Sequence, residues 1–169
     1  MNLEQFKTTV PHPLRVVTIV LLRRGGEVVL GMKKQGFGVG KWNGFGGKTK
    51  EGESVWKCAY RETEEESTVR LNTMRRVAYL NFYFRDIPID QDWNQQAQVI
   101  ICDNWSGVPQ ETDEMRPETF RVDALPLDDM WPFDREWMPR LLADEKLVGE
   151  FLFGGEGEPV EHRFLPYPE

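Results

Sequence analysis

Residues Gly46 to Val69 read GGKTKEGESVWKCAYRETEEESTV. A glycine pair opens the stretch, and Glu62, Glu64, Glu65 and Glu66 crowd its end. The spacing predicts a turn feeding a helix over Val55 to Ser67, with Ser54 as its N-cap. At roughly 100° per residue, Glu62, Glu65 and Glu66 fall within about 100° of one another, and Glu64 points away. Like charges at i,i+3 and i,i+4 repel, and the helix dipole disfavours them near the C-terminus. A charged solvated face is one reading, since Glu is a good helix former. A hard divalent cation is the other, because it takes carboxylate oxygens as ligands.

Working outward, Lys33 to Gly47 (KKQGFGVGKWNGFGG) holds six glycines in fifteen residues. Such a segment is expected to be neither a regular strand nor a helix, but it can bring backbone N–H groups close to a ligand. Trp42 stands where a P-loop needs glycine, and the glycines do not space as a dinucleotide turn. Upstream, Leu14 to Leu22 (LRVVTIVLL) reads as a buried strand, with Thr18 its one polar interior residue. Glu27 to Met32 pairs with it as a hairpin across Arg23-Arg24-Gly25-Gly26. Downstream, strands are expected over Arg75–Phe84, Gln96–Ile101, Glu118–Val122, Glu150–Phe153 and Val160–Leu165. A second helix is expected over Asp134–Leu147. Val55, Trp56, Ala59 and Thr63 should face inward from the first helix. Strands interleaved with two helices imply a mixed sheet carrying helices, α+β or α/β in class.

The chain has 169 residues, enough for one domain over 14–169 preceded by an arm at 1–13. Its 21 Lys and Arg against 28 Asp and Glu leave a charge of −7, which argues against a nucleic-acid polymer as partner. Two cysteines make neither a disulfide framework nor a zinc site. A reducing cytoplasm suits the two thiols, no apolar run has membrane-spanning length, and a monomer is expected, with a dimer as the alternative.

Gly47, five residues, Glu53, seven residues, Arg61-Glu62, then Glu65-Glu66 and Val69 match the signature G-x5-E-x7-R-E-U-x-E-E-x-G-U. The chain thus resembles the Nudix hydrolases. Thr63 replaces the first aliphatic residue and Thr68 the late glycine. GMKKQGFGVGKWNGFGGK, TDEMRP and DMWP extend the likeness, over Val17 to Phe153, to the MutT-homologue subgroup that hydrolyses oxidised purine nucleoside triphosphates such as 8-oxo-dGTP. The resemblance implies an α/β/α sandwich and Mg2+ as cofactor, with Mn2+ as a substitute. Glu62, Glu65, Glu66, Glu114 and the Gly46 carbonyl would hold the metal, Glu114 alternatively serving near the attacking water. Arg61 would orient the glutamates and Glu53 brace the loop. Lys33 would face phosphates, and Phe45, Gly46, Gly47 and Lys48 would line the substrate loop. Thr18 and Asn43 would face the nucleoside, with Phe37, Phe82, Met115, Trp131 and Trp137 around the base. The subgroup carries two adjacent aspartates that read the purine edge; here they are Phe133 and Asp134. Phe133 can neither donate nor accept, which keeps open a Nudix enzyme of broader or different nucleotide range. A silent nucleotide-binding module is the third reading, resting only on Thr63 and Thr68.

Overall fold

The structure is a computed structural model that describes residues 1–155 and 157–169. The chain runs α1 (Leu3–Lys7), β1 (Arg15–Arg24), β2 (Glu27–Lys33), β3 (Trp42–Asn43), α2 (Val55–Ser67), β4 (Arg70–Phe84), β5 (Gln95–Ser106), β6 (Met115–Arg121), α3 (Asp134–Leu142), β7 (Leu147–Phe153) and β8 (Glu161–Pro166). Short 3-10 turns lie at Ile89–Gln91 and Leu127–Asp129. One mixed sheet orders the strands β3-β2-β1-β5-β4-β7-β8, with β6 paired to β2. β1 with β5 and β4 with β7 are parallel, and the other pairs are antiparallel.

Strand alternation decides which side chains meet which helix. On β1, Val20 and Leu22 join Ile100, Cys102 and Ala59 under α2, while Leu21 joins Val99, Ile101 and Trp137 under α3. The sheet is thereby covered on both faces, the expected α/β/α sandwich. No helix among the described residues is long and apolar enough to cross a membrane.

Helix α2 spans the residues that its pattern predicts, and Ser54 accepts the Lys57 N–H at 3.1 Å as the N-cap. Its buried side is Cys58, Ala59, Thr63, Glu66 and Ser67. Trp56 is instead exposed in the first turn, at the edge of that side, with the Arg76 guanidinium over its indole at 5.7 Å. Strand β4 starts five residues before the expected Arg75, and β5 runs on to Ser106. Register shifts between Leu71 and Ala78 break the alternation that marks a strand in sequence. Helix α3 stops at Leu142, short of the expected Leu147. Ala143 N–H closes onto Pro139 and Arg140 carbonyls, Asp144 takes a φ of 67°, and Leu147 is already paired with Ala78.

The segment 1–13 is not a free arm. Asn2 and Gln5 cap α1 reciprocally, and Leu3, Phe6 and Val10 are buried against Tyr83 and Leu152. Buried Glu150 holds Lys7 at 2.7 Å and Arg163 at 2.6 Å, joining the helix to β7 and β8.

Thr68 caps the C-terminus of α2 with a φ of 68°. A β-branched residue is strained there, and glycine is the residue that this cap prefers. Thr68→Gly should raise stability by about 1 kcal/mol, read as a higher urea midpoint at unchanged slope. A midpoint at or below the parent's would show that its weak 3.5 Å bond to the Val108 carbonyl outweighs the strain.

Candidate active site

The site begins where the Gly46–Gly47 turn crosses β1. Gly46 has a φ of 154°, and a Cβ there would lie 1.9 Å from the Thr18 carbonyl oxygen. A Cβ on Gly47 would lie 2.6 Å from the Glu62 carboxyl carbon. Only two glycines let the turn touch both β1 and α2. The Gly46 N–H then donates to Glu66 Oε1 at 2.8 Å.

Arg61 fixes the helix face to this turn. Its guanidinium grips Glu53 through two bonds of 2.8 and 2.9 Å, and donates to Glu62 Oε1 at 2.8 Å and the Lys48 carbonyl at 3.3 Å. Glu53 in turn accepts the Lys50 N–H at 3.0 Å. The Arg61 bonds, then the Lys50 N–H, hold the Glu53 carboxyl down at about 2. Glu53 raises the Arg61 pKa further, so this pair stays charged at any working pH.

Glu62, Glu66 and Glu114 converge, each offering a carboxylate oxygen within 4.8 Å of the others. Glu66 is 5% exposed, and burial pushes its carboxyl up to about 8 against the help of the Gly46 N–H; Glu62 and Glu114 push the same way. Among the described residues no Lys or Arg forms an ion pair with Glu66 or Glu114. Three carboxylates with Arg61, on Glu62, as the one ion-paired side-chain cation among the described residues fit a divalent metal, which takes such oxygens and compensates their charge. Thr112, which the sequence did not single out, ties the Glu114 loop to the helix. Its hydroxyl donates to the Glu66 carbonyl at 3.0 Å and accepts the Glu114 and Met115 N–H groups, each at 3.3 Å. Glu65 stays at the rim, 49% exposed and 3.5 Å from Arg61.

The β2–β3 loop leads from this cluster to an aromatic pocket. Lys33 acts electrostatically on Glu66, while Phe37 stacks on Trp131 at 5.1 Å. Phe82, Phe133 and Phe153 pack together below, with Trp137 fully buried behind them. Asn43 accepts the Gly44 N–H through Oδ1 at 2.8 Å, which leaves its NH2 group as a donor. Asp134 is 1% exposed, and burial pushes its carboxyl up to about 7. Neither its Oδ2 nor the Trp137 Nε1 makes a well-formed hydrogen bond, although the indole N–H is close enough to favour the carboxylate. Phe133 holds the N-cap position of α3 and makes no capping bond, so Asp134 is the first helical residue rather than the cap.

Three residues expected to touch substrate lie elsewhere. Thr18 is buried on the α2 side, its hydroxyl 3.5 Å from Cys58 Sγ and from the Gly47 carbonyl. Phe45 and Met115 belong to the core beneath α2 and close around Gly31. Each sits on the sheet face opposite α3, so none can touch a base stacked on Trp131. Lys48 is exposed, and its contact with the site is the carbonyl that Arg61 binds. The pocket gains Trp93, Phe84 and Phe153, and Lys41, whose Nζ lies 4.9 Å over Trp131. A tryptophan in the polar run DIPIDQDWN was the one sequence signal for Trp93.

A family model described as NUDIX domain matches residues 12–141. A relative from Danio rerio, named oxidized purine nucleoside triphosphate hydrolase, is 40% identical over 88% of this chain and 93% of its own length. One of the same name from Mus musculus is 42% identical over 82% of this chain and 86% of its own. The crystal structure of the mutator MutT protein from Bacillus halodurans superposes with a TM-score of 0.77, covering 92% of this chain and all of that one. At 23% identity that likeness concerns the fold.

Proposed function

The chain belongs to the Nudix hydrolase family, and on that premise we propose that it hydrolyses oxidised purine nucleoside triphosphates such as 8-oxo-dGTP, with Mg2+, to the monophosphate and pyrophosphate. The observation that carries this reading is the convergence of Glu62, Glu66 and Glu114, linked through one loop to an aromatic pocket with a buried carboxyl. The names of the two relatives support the substrate class.

Glu62, Glu66 and Glu114 would hold the cation, with Glu65 and the Gly46 carbonyl completing its surroundings. Bound Mg2+ supplies a lowered water pKa and charge neutralisation at the phosphates. Arg61 orients Glu62 through its bond while Glu53 clamps the guanidinium in place. Lys33, within electrostatic reach of Glu66, pairs with phosphate oxygens. A carboxylate of the cluster takes the proton of the attacking water. The base stacks on Trp131, with the Asn43 NH2 and the Asp134 carboxyl offered to its edge. The charge of −7 suits a small nucleotide rather than a nucleic-acid polymer, and we place the activity on a cytoplasmic monomer.

The test is Mg2+-dependent pyrophosphate release over oxidised and ordinary nucleotides. Oxidised purines should exceed their parents in kcat/KM by about tenfold or more. A protein that releases no pyrophosphate from any of them with Mg2+ ends the proposal.

Phe133 favours a second reading, a broader nucleotide range. Its ring lies 5.3 Å from Phe82 and 5.1 Å from Phe153, and it offers a base edge no hydrogen bond. Phe133→Asp should then raise the oxidised-to-ordinary ratio of kcat/KM by about tenfold. It should also cost stability, since it buries a second carboxyl beside Asp134. An unchanged ratio in the folded variant removes Phe133 from base reading.

A further inference from the structure

Six aromatic side chains close into a collar around the base pocket. Trp131 meets Phe37 at 5.1 Å and 23°, Phe37 meets Trp93 at 5.4 Å and 77°, and Trp93 meets Phe84 at 5.5 Å and 79°. Phe84 stacks on Phe153 at 4.9 Å, Phe153 meets Phe133 at 5.1 Å, and Phe133 returns to Trp131 at 6.4 Å. Four of these stand on or beside β4, β7 and α3. Phe37 and Trp93 come from loops.

The two loop residues are held differently. Phe37 is 65% exposed between Gly36 and Gly38, both at positive φ. Backbone bonds from the Val39 N–H to the Gly36 carbonyl and from the Lys41 N–H to the Gly38 carbonyl hold the turn, so the freedom left to Phe37 is that of its exposed side chain, whose position depends on the rings that it touches. Trp93 is anchored on both sides. Asp92 pairs with Arg15 at 3.4 Å, and buried Asn94 accepts the Phe84 N–H at 2.8 Å. Trp93 is therefore the fixed member and Phe37 the adjustable one.

Phe37 covers a face of Trp131. A base sandwiched between the two rings needs a separation of about 7 Å, near the upper limit for aromatic contact and wider than the present one. Phe37 must yield to admit a base, and the Trp93 edge limits how far it yields. We propose that Trp93 is a positioning residue of the base site, holding Phe37 against Trp131 so that a flat purine is gripped between them. This rests on the base-stacking role given to Trp131 above. The phosphate chemistry takes place at the glutamate cluster, on groups that Trp93 does not touch, so its effect falls on binding.

The experiment measures kcat and KM for 8-oxo-dGTP, dGTP and dCTP with Trp93→Ala, Trp93→Phe and Trp131→Ala. Trp93→Ala should raise KM for both purines about tenfold at nearly unchanged kcat, with a smaller change for dCTP. Trp93→Phe keeps an aromatic edge and should restore most of the loss. A Trp93→Ala KM within about twofold of the parent, an effect confined to kcat, or a loss that Trp93→Phe does not restore overturns the proposal. If Trp131→Ala still raises KM, the base site stands without Trp93. If neither variant moves KM, the stacking role of Trp131 falls with it.

Discussion

Glu66→Gln should lower kcat about a thousandfold while leaving the fold intact. The amide keeps the carboxylate's shape, so its oxygen can accept the Gly46 N–H now bonded at 2.8 Å. Its NH2 group enters a space shared with the Glu62 and Glu114 carboxylates, both acceptors. No buried polar atom is stranded, and the metal-free protein should melt no lower than the parent. What disappears is one of three anionic oxygens gathered for a cation. Thermal shift on adding Mg2+ separates the two effects, since the parent should gain stability and the variant gain less. Glu65→Gln should cost less, because Glu65 lies at the exposed rim outside the trio. Turnover by Glu66→Gln within tenfold of the parent would sink the metal assignment.

How much of this was legible in the sequence depends on how local the physics was. Helix α2 and its Ser54 cap rest on spacing within thirteen residues, and both appear as expected. The same spacing announces Arg61, whose partners Glu53, Glu62 and Glu65 all lie within eight positions. The N-terminal helix was not legible, because five residues gain their stability from Tyr83, Leu152 and Glu150 far along the chain. Strands β4 and β5 were read short where bulges hide the alternation.

The site divides along the same line. A resemblance carries residues over one at a time and does not say which face of a strand each occupies. Thr18 sits between Val17 and Ile19, which pack on the α3 side, and the pleat turns Thr18 to the other. Met115 at the start of β6 and Phe45 in the turn after β3 fall beneath α2 as well. Trp93 lies in a polar run, DIPIDQDWN, that carries neither strand nor helix periodicity. Its partners are Phe37 in the β2–β3 loop and Phe84 at the end of β4, and only the sheet order brings them together.

Asp134→Asn should cut kcat/KM for 8-oxo-dGTP about a hundredfold and make the protein more stable above neutral pH. Both effects come from one buried carboxyl. Asp134 opens α3, where the dipole favours an anion, and Lys41 attracts it as well. Burial outweighs both and pushes the group up to about 7. The folded state therefore holds the proton more tightly than the unfolded chain, whose aspartates titrate near 4. Folded stability must fall as pH rises from about 4 through 7 and level off above. Asparagine does not titrate, so the variant should overtake the parent across that window, by about 4 kcal/mol between its ends. Recognition changes for a related reason. The Asp134 Oδ2 is buried beside the Trp137 indole without a well-formed hydrogen bond, and a purine edge that reached it would supply one. A protonated acid offers one donor there and a carboxylate only acceptors, whereas an amide presents two donors and a fixed acceptor. Urea melts of parent and variant from pH 5 to 8.5, beside kcat/KM at each pH, test both halves. A stability difference that stays flat with pH would mean that the carboxyl is ionised throughout. An unchanged kcat/KM would mean that the base edge never reaches it.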